Sequence, residues 1–319
     1  MDNYQFTLHG DAKEDILVAQ ITSGKNNSKL LWLSKDGKQE NEIIQNKADL
    51  LIEFINEKRY RIGQNKIDEL FKFIKDDEEP MDKAMKQIYL EFNNEYKKSN
   101  EVKTSDELRA LPLNYHKGKR DAIFVCGCAG SGKSYFIGQY CESYNRMYPK
   151  SNIIFISAKN LKDDDAYDNV KNIKQLDLDD IEQLDEIVES GKAFEYFAGK
   201  ESSLVIFDDA EGLTKELEKY AQLIMENILF IGRSKNINII ISRHILNNGK
   251  STKPMFNECN KFVFFPNGLS RYNLDYTLKN YLGFDKIQIK KLCNLKTRWV
   301  QISNHQPRYV LYQKGVYLL

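Results

Sequence analysis

Lys133 and Ser134 end a stretch in which the apolar run Ile123-Phe124-Val125-Cys126 breaks into Gly127-Cys128-Ala129-Gly130-Ser131-Gly132. The spacing Gly127-x4-Gly132-Lys133-Ser134 is that of a loop built to hold phosphate. Glycines let the backbone curl so that successive N–H groups face an anion, and a helix beginning at Ser134 adds its positive end. Lys133 then reaches the β and γ oxygens of a nucleoside triphosphate, taken to be ATP, while Ser134 offers its hydroxyl to Mg²⁺, which prefers hard oxygen ligands. Gly127, Cys128, Ala129, Gly130, Ser131, Gly132, Lys133, Ser134 and the following Tyr135 are taken as the nucleotide-contacting run.

Further along, Ser203-Leu204-Val205-Ile206-Phe207 ends in Asp208-Asp209. An apolar strand closed by paired carboxylates suits a metal at the first and an activated water at the second. Asp208 is assigned to Mg²⁺ and Asp209 to the water, with Glu211 in reserve as the base. Ser242 closes the unbroken apolar run Ile237–Ile241, from where its hydroxyl could sense the γ-phosphate. Arg233 and Arg243 are the candidates for an arginine that stabilises transition-state charge, from the same subunit or a neighbouring one. An ordinary surface ion pair is the alternative for each. His244 reads as a packed or capping histidine rather than a catalytic one.

Strands must carry these groups. Asp121–Val125, Asn152–Ser157, Ser203–Phe207, Ile237–Ile241 and Lys261–Phe265 read as strands, and continuous rather than alternating apolarity in Ile237–Ile241 argues for a central parallel one. Helices over Ser134–Tyr148, Asp179–Ser190 and Thr214–Phe230 alternate with them. The fold class is therefore α/β, a mainly parallel sheet flanked by helices, with the nucleotide at the C-terminal ends of the strands. Lys162–Asp168 reads as an acidic surface loop and Asn247–Pro254 as a mobile basic one. Two short basic helices, Tyr272–Tyr281 and Lys286–Leu295, precede a terminal hairpin of Trp299–Ser303 and Tyr309–Tyr312.

Residues 1–110 read as a smaller mixed α+β domain without recognisable chemistry, and residues 111–319 as the nucleotide domain. After a hairpin-rich start, three helical faces appear: Leu50, Leu51, Phe54 and Ile55, then Ile67, Leu70, Phe71 and Ile74, then Met85, Ile88, Tyr89 and Phe92.

A chain of 319 residues that is 41% hydrophobic has ample material for a core. It has no run of eighteen apolar residues, and acids and lysine interrupt its first twenty, so neither a membrane span nor a signal peptide is expected. The 5 cysteines, an odd set without Cys-x-x-Cys spacing, suggest reduced thiols rather than a disulfide framework or a metal site. A net charge of +1 hides a strong asymmetry. Residues 157–232 hold 8 Lys/Arg against 19 Asp/Glu, and residues 233–319 hold 15 against 3. A basic C-terminal third can attract a polyanion.

With Gly127–Ser134, Leu204–Asp209, the block Gly232-Arg233-Ser234 leading to Ser242, Arg298-Trp299-Val300 and Gly315-Val316-Tyr317, the sequence resembles the FtsK/HerA superfamily of ring-forming ATPases. The likeness spans about residues 111–319 and is strongest to the genome-packaging branch of large DNA viruses and virophages. Two positions depart from the pattern: many members carry Asp-Glu where Asp208-Asp209 stands, and Gln where Ser242 and Arg243 stand. The resemblance implies an ATPase that moves double-stranded DNA without reading its sequence, as a pentameric or hexameric homo-oligomeric ring. It further implies capsid portal or vertex proteins as partners, and a place in the viral factory of the host cytoplasm or in the virion. Alternatives are another P-loop NTPase: a cellular DNA pump, a phage-assembly ATPase or a small-molecule kinase.

Overall fold

The computed structural model describes residues 4–24, 26–35, 47–76, 78–97, 101–104, 106–113, 119–189, 193–199, 202–249 and 252–319. The chain divides into two compact units, Met1–Arg109 with Leu311–Leu319, and Ala110–Val310.

In the first unit, β1 (Gln5–Thr7), β2 (Ile16–Ile21) and β3 (Leu30–Ser34) form an antiparallel sheet. Helices α1 (Lys47–Glu57), α2 (Gln64–Asp76) and α3 (Lys83–Lys97) follow. Their apolar faces meet in one cluster that includes Phe54, Leu70 and Phe92, with Ile67 and Phe71 only partly buried. These are the faces set by helical spacing of apolar residues. β4 (Glu101–Lys103) pairs antiparallel with Gly315–Leu318, and β5 (Leu108–Ala110) completes the small sheet in the order β1-β3-β2-β5.

The second unit is built on β6 (Ala122–Cys126), β7 (Asn152–Ser157), β8 (Ile173–Gln175), β9 (Ser203–Asp208), β10 (Ile237–Arg243), β11 (Lys261–Phe264) and β12 (Val300–Ser303). Their order is β12-β11-β6-β10-β9-β7-β8; all neighbours from β11 to β8 are parallel, and β12 runs antiparallel to β11. Every residue of β6 and of β9 is buried, the condition that unbroken apolar runs satisfy. Helices α4 (Lys133–Met147), α5 (Ile181–Glu189), α6 (Ala193–Tyr196), α7 (Lys215–Ile231), α8 (Lys253–Glu258), α9 (Arg271–Asn280) and α10 (Lys286–Cys293) make the connections. The molecule is thus α/β, a large mostly parallel sheet flanked by helices, with a smaller antiparallel sheet.

Four local outcomes differ from the sequence reading. β8 is a short edge strand whose polar composition gives no periodic signal. Lys253 begins α8 inside the stretch read as a basic loop, because Pro254 occupies the first helical turn, where its missing N–H costs nothing. Lys250 and Ser251 of that stretch lie outside the described residues. The acidic run Lys162–Asp168 folds into two 3₁₀ turns around a buried Tyr167 rather than an open loop. The terminal hairpin gains a third strand, since Gly315–Leu318 continues beyond Tyr309–Tyr312.

Gly138, in the middle of α4, lets that helix lie directly on the backbone of the Tyr167 turn, and a Cβ there would collide with the carbonyl oxygen of Ala166. Gly138→Ala is expected to destabilise this unit by about 1–3 kcal/mol, the usual cost of overpacking. A lowered melting temperature, together with weakened nucleotide binding as Tyr167 is pushed aside, would be the measurement; an unchanged melting temperature would refute it.

At the opposite end of the sheet from the glycine loop, buried polar groups fix the strands. The Arg120 guanidinium donates to Ile228 O (2.6 Å), Leu229 O (2.5 Å) and Ile237 O (3.2 Å), closing the end of α7 over the start of β10. Burial pulls its pKa down to about 10. Beside it, Asp121 and Lys261 form an ion pair of 2.8 Å with both side chains 1% exposed.

Candidate active site

The glycine loop leaves the C-terminal end of β6 and runs into α4. Gly132 closes it at φ 104°, a left-handed conformation that side chains resist. A Cβ at Gly132 would also lie 2.9 Å from the guanidinium of Arg298, which covers the loop and donates from Nε to Ser131 O at 2.8 Å. The neighbouring Trp299 packs edge-on against Phe136 of α4, with centroids 5.1 Å apart. The segment before β12 therefore holds the loop from outside, a contact between residues far apart in sequence.

Lys133 is buried, and its Nζ donates to Gly127 O at 3.0 Å and Cys128 O at 3.5 Å. Ser134 Oγ donates to Asp208 Oδ2 at 3.4 Å, and Tyr167 OH donates to the same oxygen at 3.1 Å. Tyr135, next on the helix, is exposed. Strand β9 brings Asp208 to this point at 2% exposure. Burial raises its pKa and the charge of Asp209 adds to that, while the hydroxyls of Ser242 and Tyr167 and the Lys133 ammonium pull it back.

Asp208 Oδ1 is buried with no hydrogen-bond partner in the protein. One unpartnered oxygen beside one shared with a serine hydroxyl fits a small hard cation, so Ser134 and Asp208 are the residues that would hold Mg²⁺. Among the described residues, no three His, Cys, Asp or Glu side chains gather into a cation cage. Mg²⁺ does not need one, because substrate phosphates and water complete its shell.

Strand β10 lies between β6 and β9, with Ser242 level with Val125, Arg243 with Cys126, and Ile241 with Phe207. That register places Ser242, 2% exposed, against Asp208. Asp209 sits just past β9 at φ 49°, a left-handed turn that aspartate tolerates better than most residues. Its Oδ2 accepts from Lys159 Nζ at 2.5 Å, and His244 Nε2 lies 2.8 Å from its Oδ1 without the alignment of a hydrogen bond. Burial alone would raise the Asp209 pKa, but the Lys159 hydrogen bond and the nearby His244 and Lys133 hold it below the usual aspartate range. Arg243 Nη1 pairs with Glu211 Oε1 at 3.4 Å, and the His244 N–H donates to Glu211 Oε2 at 3.2 Å. Glu211, the reserve base, is thus committed to holding the end of β10.

Arg233 is placed differently. It is exposed in the turn Gly232–Lys235 that precedes β10. The seven residues of β10 span about 20 Å at about 3.3 Å each, so within one chain Arg233 does not reach its own phosphate loop. Sequence reasoning overlooked Tyr167, Lys159 and the central position of His244. Tyr167 was signalled by being the one aromatic residue in an acidic run; Lys159 and His244 carry no local signal, since only the fold brings them to Asp209.

A glycine loop and a carboxylate pair on two parallel strands, with a third strand wedged between, define the molecule as a P-loop NTPase. Residues 116–244 match the family model described as an AAA domain. The chain is 32% identical over 199 residues to the uncharacterized protein V3 of Sputnik virophage, covering 61% of this chain and 76% of that one. It belongs to that protein's family. Among solved structures it is similar to the genome packaging NTPase B204 from Sulfolobus turreted icosahedral virus 2 in complex with ATPγS. That match has 17% identity, a TM-score of 0.41, and coverage of 61% of this chain and 96% of that one. The pCW3 conjugation coupling protein TcpA with ATPγS matches at 13% identity and a TM-score of 0.42, covering 95% of this chain and 77% of that one. Among the described residues, no helix is long and apolar enough to cross a membrane.

Proposed function

We propose that the chain hydrolyses ATP to move double-stranded DNA, and that it packages a viral genome into a capsid as a homo-oligomeric ring. The observation that carries this reading is the joining of a hydrolytic Lys133, Ser134, Asp208 and Asp209 constellation to a strongly basic C-terminal third. In that third, 15 Lys/Arg stand against 3 Asp/Glu, and Arg271, Lys279, Lys286, Lys290 and Lys291 are exposed on α9 and α10. Exposed cations grip phosphates without reading bases, which is what a motor indifferent to sequence needs.

In the reaction, the loop amides and Lys133 bind the β and γ phosphates. Mg²⁺ held by Ser134 and Asp208 would supply positive charge to the same oxygens. Asp209 takes a proton from water, the water oxygen bonds to the γ phosphorus, and the β–γ bridging oxygen leaves with ADP. Arg233, exposed and remote from its own loop, serves the site of a neighbouring subunit, so that hydrolysis requires the ring. Residues 1–110 dock the motor to capsid portal or vertex proteins, and residues 111–319 carry the ATPase site. The motor works in the viral factory or on the virion.

ATP hydrolysis by the purified full chain, with and without duplex DNA of unrelated sequences, tests the reading. Turnover is expected to rise with any duplex and to lose that rise steeply with salt, as phosphate contacts demand. Hydrolysis without a DNA-dependent rise at low salt, from a protein that stays monomeric, would overturn it.

A further inference from the structure

The two groups that must meet the γ-phosphate and its attacking water, Lys133 and Asp209, are joined in the structure by one imidazole. His244 Nδ1 lies 3.2 Å from Lys133 Nζ, and His244 Nε2 lies 2.8 Å from Asp209 Oδ1. Valence decides the roles. An ammonium only donates, so Nδ1 accepts from Lys133 and a neutral ring carries its hydrogen on Nε2, which stands 2.8 Å from Asp209 Oδ1 in charge contact rather than in an aligned hydrogen bond. That tautomer puts the ring N–H on the Asp209 side.

The backbone that carries the imidazole is held in place. The His244 N–H donates to Glu211 Oε2, Glu211 pairs with Arg243, and the Arg243 carbonyl accepts from the Gly127 N–H at 3.3 Å. Glu211 itself lies two residues after Asp209, so the end of β10, the turn after β9 and the start of the phosphate loop are tied together around this ring. Lys159, the other partner of Asp209, is 60% exposed and stands on the loop after β7. Of the two partners, His244 is the better anchored.

We propose that His244 is a positioning residue for hydrolysis, coupling the phosphate-loop lysine to Asp209; this rests on the hydrolytic reading above. Before nucleotide binds, the ring holds Lys133 against its own loop carbonyls and stands beside Asp209 Oδ1. When a triphosphate arrives, Lys133 turns to the phosphate oxygens and releases Nδ1. The released ring turns Nε2 into line with Asp209 Oδ1, and Lys159 yields Oδ2 to the attacking water. His244 thus aims the base without touching substrate, and the loop that follows it registers whether Lys133 is engaged.

The test compares wild type, His244→Ala, His244→Gln, Asp209→Asn and the double variant Asp209→Asn/His244→Ala. Single-turnover hydrolysis of ATP is read alongside binding of ATPγS. His244→Ala is expected to bind ATPγS as tightly as wild type or more tightly, since the hold on Lys133 is gone, and to lose about 10²-fold in turnover through misplacement of the base. His244→Gln, whose amide can accept from Lys133 and donate to Asp209, should recover most of that loss. The double variant should be no slower than Asp209→Asn alone, because both changes act on one group. Wild-type turnover in His244→Ala, no recovery in His244→Gln, or a further loss in the double variant would each overturn the assignment. A wild-type protein that binds ATPγS yet hydrolyses nothing would instead overturn the hydrolytic reading and this inference with it.

Discussion

Asp209→Asn is expected to lower ATP turnover about 10²–10⁴-fold, the range associated with a positioned general base, while nucleotide binding stays within about threefold of wild type. The substitution is a clean one for structural reasons. Asp209 occupies a left-handed turn at φ 49°, and asparagine is among the few residues that accept that conformation readily. Its amide has the same outline, so the contact from His244 Nε2 to the remaining oxygen survives. What is lost is the charge, and with it the ability to take a proton. Asp209 is suited to that task because Lys159, His244 and Lys133 outweigh burial and keep its carboxyl below the usual range, leaving it ionised near neutral pH. Asp208, whose pKa burial raises, faces Ser134 and is suited to a cation instead. Two adjacent carboxylates are thereby shifted in opposite directions by their surroundings, and the proposed division of roles follows that difference. Single-turnover hydrolysis beside an ATPγS binding curve is the measurement. Unchanged turnover would remove Asp209 from the chemistry, and Glu211 is a poor replacement while Arg243 and the His244 amide occupy it.

What the sequence made legible follows from what is written locally. The glycine loop, the apolar strands and the helical faces depend on residues within a few positions of one another, and periodicity or spacing exposes them. Thr214 before α7 is one such signal, its hydroxyl accepting from the Leu217 N–H at 3.4 Å as an N-cap should. Groups whose partners come from other strands were hidden. His244 looks like a capping residue until β10 is placed between β6 and β9; Arg298 belongs to the phosphate loop only because β12 returns antiparallel beside β11. Arg233 shows the converse. Its place in a motif suggests the active site, yet it lies before β10 rather than after it, so strand direction carries it to the far end of the sheet.

The same strand geometry makes the Asp121–Lys261 pair decisive for stability. Asp121 stands immediately before β6 and Lys261 opens β11, which is level with Ile123 in the parallel register. Their 2.8 Å contact is buried on both sides at 1% exposure, and each partner is tied to further groups. Tyr140 OH donates to Asp121 Oδ2 at 2.5 Å, Leu113 N–H donates to the same oxygen at 2.8 Å, and Lys261 Nζ donates to Leu111 O at 3.1 Å. Tyr140 lies on α4, so this network anchors both the strand that enters the phosphate loop and the helix that leaves it. Lys261→Met would strand a buried carboxylate opposite a thioether, at a cost of about 3–5 kcal/mol. For a unit of this size, that corresponds to a melting temperature lower by roughly 6–20 °C. Because the penalty is that of an unpaired charge rather than of lost attraction, Lys261→Met combined with Asp121→Asn should be less destabilised than Lys261→Met alone. Asparagine keeps an acceptor for Tyr140 and Leu113 and carries no charge to strand. Thermal unfolding of the single and double variants separates these cases. A double variant at least as unstable as Lys261→Met would mean that the pair holds β6 against β11 by its own attraction, and not merely by sparing each partner its isolation.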